Sequence, residues 1–245
     1  MRLSTYSSPA RRHVWPACLL ILFLGSNLPA ADLSIPLNGP SRELSFAQYI
    51  ASTAERDPLT KSGPVGIVVE ASLPELYKSA GLVAVRTQRE NEPGEVKVLL
   101  LSGDGTVTDE VIDRVFGLKR QIQSLPLSSV AITPTNYKFH FAGEVKTGTS
   151  SAYIYDIAPK KNGPGLFSGH LWMDAGCGQE VTLTGYLKDM SSAGGRVDVV
   201  RDTKLINGAP YARVTHVAFT IPLLGRAEVT ITEVVLTQDL LTQEQ

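Results

Sequence analysis

Cys177 lies between two glycines, Gly176 and Gly178, and by residue type it could act as a nucleophile. To do so it would need a base or an electropositive neighbour to hold it as thiolate. The surrounding stretch, YIYDIAPKKNGPGLFSGHLWMDAGCGQEV (residues 153–181), carries no such signature. The flanking glycines describe a mobile hairpin tip. Cys177 is therefore read as an incidental surface thiol or one half of an intermolecular disulfide. His140, His170 and His216 each fall on the more polar face of a strand-like run, and there is no H-E-x-x-H pair. Asp174 follows His170 by four residues on the same face, but strand rise separates them by roughly 13 Å, too far to share a metal. Gly103-Asp104-Gly105 has neither a phosphate-loop nor a dinucleotide pattern and reads as a strand-to-helix connection. Ser150-Ser151 and Ser191-Ser192 are turn serines without a nucleophile elbow. No catalytic residue, metal site or cofactor is expected, and no enzymatic activity.

The elements that would position a binding site are clearer. Residues 1–31 have the layout of a secretory signal peptide: Arg2, Arg11 and Arg12, then the apolar run Ala17–Leu24, then small residues at Ala30-Ala31. The apolar run is shorter than the roughly 20 residues a bilayer span needs. Cleavage near Ala30 or Ala31 would leave residues 32–245 as one domain, exported to the periplasm or cell envelope. With the three leader arginines gone, 20 of the 23 basic residues remain against all 24 acidic ones, a net charge near −4. That is no footprint for nucleic acid. No later apolar run is long enough to span a membrane, so membrane contact would be peripheral at most. One remaining cysteine cannot form an internal disulfide, so a large apolar core must hold the domain together.

Residues 41–56 predict a helix capped by Ser41, with Leu44, Ala47, Ile50, Ala51 and Ala54 on its buried face. Residues 107–124 predict a second, with Val111, Val115, Leu118 and Ile122 as its stripe. Strands are predicted over 65–72, 81–90, 95–103, 137–146, 150–158, 166–175, 180–189, 196–206, 211–221 and 226–237. Glu92-Pro93-Gly94, Gly148, Gly194-Gly195 and Asn207-Gly208 mark short turns, so the later strands form an antiparallel meander. Alternation gives each strand an apolar face: Phe139 and Phe141, Tyr153 and Tyr155, Leu171 and Met173, Val181 and Leu183, Val229 and Ile231. A large curved sheet with one apolar face needs cover, and two helices are available for it.

The segments NYKFHFAGEV, SSAYIYDIAPKK, GLFSGHLWMDA and LLGRAEVTI follow one another in an order that resembles the LolA/LolB-like superfamily of outer-membrane lipoprotein-sorting proteins. The resemblance covers residues 105–237 well and 45–104 loosely. It implies a mainly β fold, a curved antiparallel sheet forming a half-open barrel with helices as lid or plug. It also implies a non-catalytic protein that binds a hydrophobic ligand, a lipoprotein or an envelope protein. The chain departs from the pattern at Gly176-Cys177-Gly178-Gln179, where relatives carry acidic and bulky residues. On the half-barrel reading, Phe139, Phe141, Tyr153, Tyr155, Leu171, Met173, Leu183, Val229 and Ile231 are expected to line the cavity. Lys160 and Lys161 are expected at its rim.

Overall fold

The computed structural model describes residues 41–54, 59, 63–87, 95–147, 150–190 and 195–236. The signal segment 1–31 with its cleavage site, the Glu92-Pro93-Gly94 turn and the turns holding Gly148, Ser191-Ser192 and Gly194 lie outside the described residues.

Among the described residues ten strands form: β1 (Val65–Leu73), β2 (Lys78–Thr87), β3 (Glu95–Gly103), β4 (Tyr137–Thr147), β5 (Ser150–Pro159), β6 (Phe167–Asp174), β7 (Glu180–Met190), β8 (Gly195–Ile206), β9 (Ala209–Ile221) and β10 (Gly225–Val235). Helices are α1 (Arg42–Ser52), α2 (Gly105–Val107), α3 (Asp113–Ser124) and α4 (Leu127–Val130), with a π turn (Thr108–Ile112) joining α2 to α3. The strands make one antiparallel sheet in the order β3-β2-β1-β10-β9-β8-β7-β6-β5-β4. Strands β4 to β10 form the expected meander. β10 then pairs with β1, Val65 opposite Val235 and Ser72 opposite Glu228. The edges are β3 and β4, so the sheet does not close into a barrel.

Alternation places Val65, Ile67, Val69, Ala71 and Leu73 of β1 on the buried face, with Ala227, Val229 and Ile231 of β10 beside them. The helical run from Gly105 covers this part of the sheet. Its Val107, Val111, Ile112, Val115 and Leu118 are all buried, as the predicted stripe requires. Asp104 starts the run by accepting from Thr106 N at 2.8 Å and Val107 N at 3.4 Å, and Lys78 pairs with it at 3.3 Å. Gly103-Asp104-Gly105 is thus a helix cap between strand and helix. β3 departs from the expected pattern: all nine of its residues are exposed, including Val96, Val98 and the run Leu99-Leu100-Leu101. It lies at the sheet edge and, among the described residues, pairs with β2 alone.

α1 is capped as predicted, Ser41 Oγ accepting from Leu44 N at 3.3 Å. Its buried face differs from the predicted one. Ser45 and Tyr49 are buried with Phe46 and Ile50 packed beside them, while Leu44 is 51% exposed. The aromatic rings have more apolar area to bury than Leu44 and the alanines, and that sets the rotation of the helix. Ser45 fixes it further by donating Oγ–H to Ala175 O at 2.5 Å.

The Gly176-Cys177-Gly178 turn is the other half of that contact, so it is a packed turn and not a mobile tip. Gly178 has φ +67, and a Cβ there would run into Ser45 O and the α1 backbone at Tyr49 N. Gly178→Ala is expected to lower stability by about 1–3 kcal/mol, the order found for strained backbone positions. Urea unfolding of the two proteins side by side measures it.

Candidate functional site

All nine residues expected to line a cavity share the inner face of the sheet. Phe141, Tyr155, Leu171 and Leu183 sit side by side across β4 to β7, and the same cross-strand row runs on through Arg201 and Thr215 to Ile231. Tyr155, Leu171, Met173, Leu183, Val229 and Ile231 are buried, Phe139 and Tyr153 are packed against the core, and Phe141 is 37% exposed. What covers the aromatic end is α1. Phe46 meets Phe139 edge-on at 5.1 Å and Tyr155 at 5.3 Å, and Arg42 lies over the Phe141 ring at 4.7 Å.

An open pocket of about 280 Å³ lies at the end of this face, between the C-terminal turn of α1, the α3–α4 corner and strands β7 to β9. Its apolar wall is Ile122, Leu127, Val130 and Ile132, and its floor carries Glu180, Arg201, Thr203 and Arg213. Tyr49 belongs both to the pocket and to the aromatic cluster, its ring 6.4 Å from Phe46. Lys160 and Lys161 sit in the turn after β5. Lys160 Nζ donates to Pro134 O and its N–H to Asn136 O, which ties that turn to the segment following α4.

The floor is ionic. Arg201 holds Glu180 with two prongs, Nε to Oε1 and Nη2 to Oε2, both at 2.7 Å. Burial works against the charge of Arg201, but Glu180 outweighs it and raises its pKa. Glu233 accepts from Lys119 of α3 at 3.2 Å, and Arg86 of β2 and Arg213 of β9 lie at 3.2 and 3.6 Å. Its side chain is 4% exposed. Burial alone would push its carboxyl up. Lys119, Arg213 and Arg86 together hold it below its ordinary value of 4.5. Burial, with the Glu180 carboxylate next, pushes the Tyr49 phenol up.

This ionic floor is what sequence reasoning missed. Val181 was expected on the apolar face. A bulge opposite Trp172 and Met173 pairs Met173 with Glu180 instead, which turns Glu180 inward. Arg201, Arg213 and Glu233 were legible: each continues an apolar alternation (Val197, Val199; Thr215, Val217; Val229, Ile231), so each was due to face inward.

The residues with chemical potential lie elsewhere. Cys177 is half-buried, and burial pushes its thiol up, with the Asp174 carboxylate 3.2 Å from Sγ adding to the effect. A thiol so placed is held protonated, the opposite of an activated nucleophile. His140, His170 and His216 share one cross-strand row on the outer face. His170 Nδ1 lies 2.7 Å from Asp156 Oδ1, His140 is 3.8 Å from the same carboxylate, and His216 contacts Thr230 Oγ1 at 3.0 Å. His170 and His216 line a shallow outer depression of about 650 Å³. Among the described residues no three His, Cys, Asp or Glu side chains could hold a metal ion.

No family model matches the chain, and no curated protein matches it. Solved structures do. A LolA superfamily protein from Nitrosomonas europaea aligns at 9% identity and TM-score 0.33, covering 82% of this chain and 98% of that one. An outer membrane lipoprotein-sorting protein domain from Vibrio parahaemolyticus aligns at 9% identity and TM-score 0.31, covering 76% and 88%. MucB aligns at 11% identity and TM-score 0.27, covering 81% and 95%, and has also been solved in complex with the periplasmic part of MucA. At these scores the likeness carries no ligand or partner over to this chain. No described helix is long and apolar enough to cross a membrane.

The ionic hub sets a pH dependence. A carboxyl whose folded pKa is lowered contributes stability that is present above its unfolded value and lost as pH falls through the folded one. Stability is therefore expected to fall as pH drops below about 4.5. Glu233→Gln should remove that part of the acid loss and destabilise the protein at pH 7 by about 3–5 kcal/mol, because the buried carboxylate that three cations share is lost. Urea unfolding at a series of pH values from 7 to 3.5 measures both.

Proposed function

We propose that this chain is an exported, non-enzymatic binding protein of the cell envelope. It carries or senses a hydrophobic ligand, an acyl chain or the lipid of a lipoprotein, on the inner face of its open sheet. The observation that supports this is the pocket of about 280 Å³ at the end of that face, walled by Ile122, Leu127, Val130 and Ile132. It connects through Tyr49 to the aromatic cluster under α1. α1 is the lid. It rests on Phe46 and on the Ser45–Ala175 hydrogen bond, and lifting it would join the pocket to Phe139, Phe141, Tyr153 and Tyr155. Each 100 Å² of apolar chain buried there would contribute about 2.5 kcal/mol before the costs of association.

A second reading has its own support. The inner face is largely filled by α1 and α3, while β3 leaves Val96, Val98, Leu99, Leu100 and Leu101 exposed at the sheet edge. That suits an interaction module to which a partner adds a strand.

Native mass spectrometry of the protein secreted and purified without detergent separates the two. A co-purified acyl species is expected, lost in Phe141→Asp while the circular dichroism spectrum is unchanged. A mass that stays free of lipid after incubation with phospholipid vesicles would overturn the carrier reading in favour of the strand-adding partner.

A further inference from the structure

We propose that the outer face of the sheet over β5–β8 carries a second binding site, a groove for a neutral saccharide chain. Trp172 lies between the buried Leu171 and Met173 and so points away from the core. The groove is therefore on the opposite face from the aromatic cluster under α1, and it is independent of the acyl-binding reading.

The groove is open and has a volume of about 380 Å³. That falls within the ~300–1,000 Å³ typical of ligand sites. Trp172, Thr182 and Asp202 stand side by side across β6, β7 and β8, and all three line it. Asp174 and Lys204 lie one step further along the same face, and Ser150 lines the β5 side. The bulge in β7 sits at its centre. Trp172 pairs with Thr182 and Met173 with Glu180, which leaves Val181 as the extra residue. Such a bulge bends its strand and increases the local twist. One irregularity thus turns Glu180 to the inner face and shapes the outer one.

The side chains suit a ligand with many hydroxyls. Trp172 is half-buried, and an indole offers flat apolar area together with one N–H donor. Among the described residues neither that N–H nor the Lys204 ammonium has a hydrogen-bond or ion-pair partner. Asp202 Oδ1 accepts from Thr182 Oγ1 at 2.8 Å. Asp174 Oδ1 accepts from Gly176 N and Cys177 N at 2.8 and 2.9 Å. In both carboxylates these bonds fall on one oxygen, whereas a carboxylate accepts at two.

Charge then selects the ligand. Among the described residues lining the groove, the charged ones are Asp174, Asp202 and Lys204. An acidic chain would meet two carboxylates, and a basic one would set a like charge against Lys204. An apolar chain would cover all three charges and give them no partner. A sugar hydroxyl both donates and accepts, so one chain serves Lys204, Asp202 and the indole N–H while its C–H face lies on the indole ring. Along the strands the groove runs toward the outer depression lined by Ser168, His170, Thr184 and Tyr186. Tyr186 is four residues beyond Thr182 on β7, roughly 13 Å by strand rise. There Arg196 and Arg226 are paired with Asp198 and Glu228 at 2.7 and 3.0 Å. The track thus suits several sugar units in line.

Trp15 and Trp172 are the two tryptophans of the chain, and Trp15 lies in the segment read as a signal peptide. The indole fluorescence of the secreted, processed protein therefore reports this groove. Fluorescence titration and calorimetry with three pentasaccharides test it: cellopentaose, its N-acetylated counterpart chitopentaose, and the acidic pentagalacturonate. At least one neutral chain is expected to bind at millimolar concentration or below, with a saturable change in indole emission and about tenfold more tightly than pentagalacturonate. Whichever neutral chain is tighter tells whether N-acetyl groups are recognised. Lys204→Ala and Asp202→Asn should each weaken it about tenfold, the size of one hydrogen bond to a charged group. If Asp202→Asn does not fold, Lys204→Ala decides, because Lys204 is exposed. Pentagalacturonate binding as tightly as the neutral chains, neutral-chain affinity that survives Lys204→Ala, or binding without a change in indole emission overturns the proposal. Failure of both neutral chains to bind does the same. Each of these results leaves the acyl-binding reading standing.

Discussion

Glu233 stands on β10 between the buried Ile231 and Val235, with its carboxylate turned to the inner face of the sheet. A carboxylate taken out of water there would cost several kcal/mol without partners. Three cations supply them, one each from α3, β2 and β9. Much of the inner architecture follows from that requirement. α3 must lie so that Lys119 reaches β10. Arg86 and Arg213 must stand in register on either side, which suits only one alignment of β2, β1, β10 and β9. Apolar packing alone would tolerate a helix shifted by a turn. A buried charge with three fixed partners does not.

The inner face is divided as a result. On the β4–β6 side, aromatic rings meet Phe46 of α1. On the β1–β10 side, aliphatic side chains meet the helical run from Gly105 to Ser124. Glu180, Arg201, Arg213 and Glu233 cross the face between them, and the open pocket lies where this polar strip reaches the edge of the helical cover.

Strands and helices were legible because each carries its own period. The alternation in β1 and β10 and the 3.6-residue stripe of Val111, Val115 and Leu118 are local signals that survive in the fold. The pairing of β1 with β10 was not legible, because local patterns do not name distant partners. The face of α1 was misjudged for an energetic reason: Phe46 and Tyr49 outweigh Leu44 and the alanines once an aromatic surface is there to receive them. The nine apolar residues expected at a cavity share one face of the sheet, and the cover over them depends on how α1 rotates. Glu180 was hidden by a bulge, which shifts the alternation by one residue without leaving a mark in composition. Arg201, Arg213 and Glu233 were in plain view as charges where the alternation called for apolar residues.

The first strand of the sheet is completed by the last. β1 lies between β2 and β10, and the row Val65, Ile67, Val69 and Ala71 has no second neighbour until Val229 to Val235 arrive. Contacts so far apart in sequence close late and slowly. The hairpins from β4 to β10 can form as the chain lengthens, but the core beneath α3 cannot. Until β10 docks, Lys119, Arg86 and Arg213 have no Glu233, and β1 offers an unsatisfied strand edge to any neighbouring chain. The β1–β10 seam, an interior pairing of the finished sheet, is the last to be secured. A chain cut short before Gly225 would lack more than a final strand: it would have two sheet fragments with no strand pairing to join them.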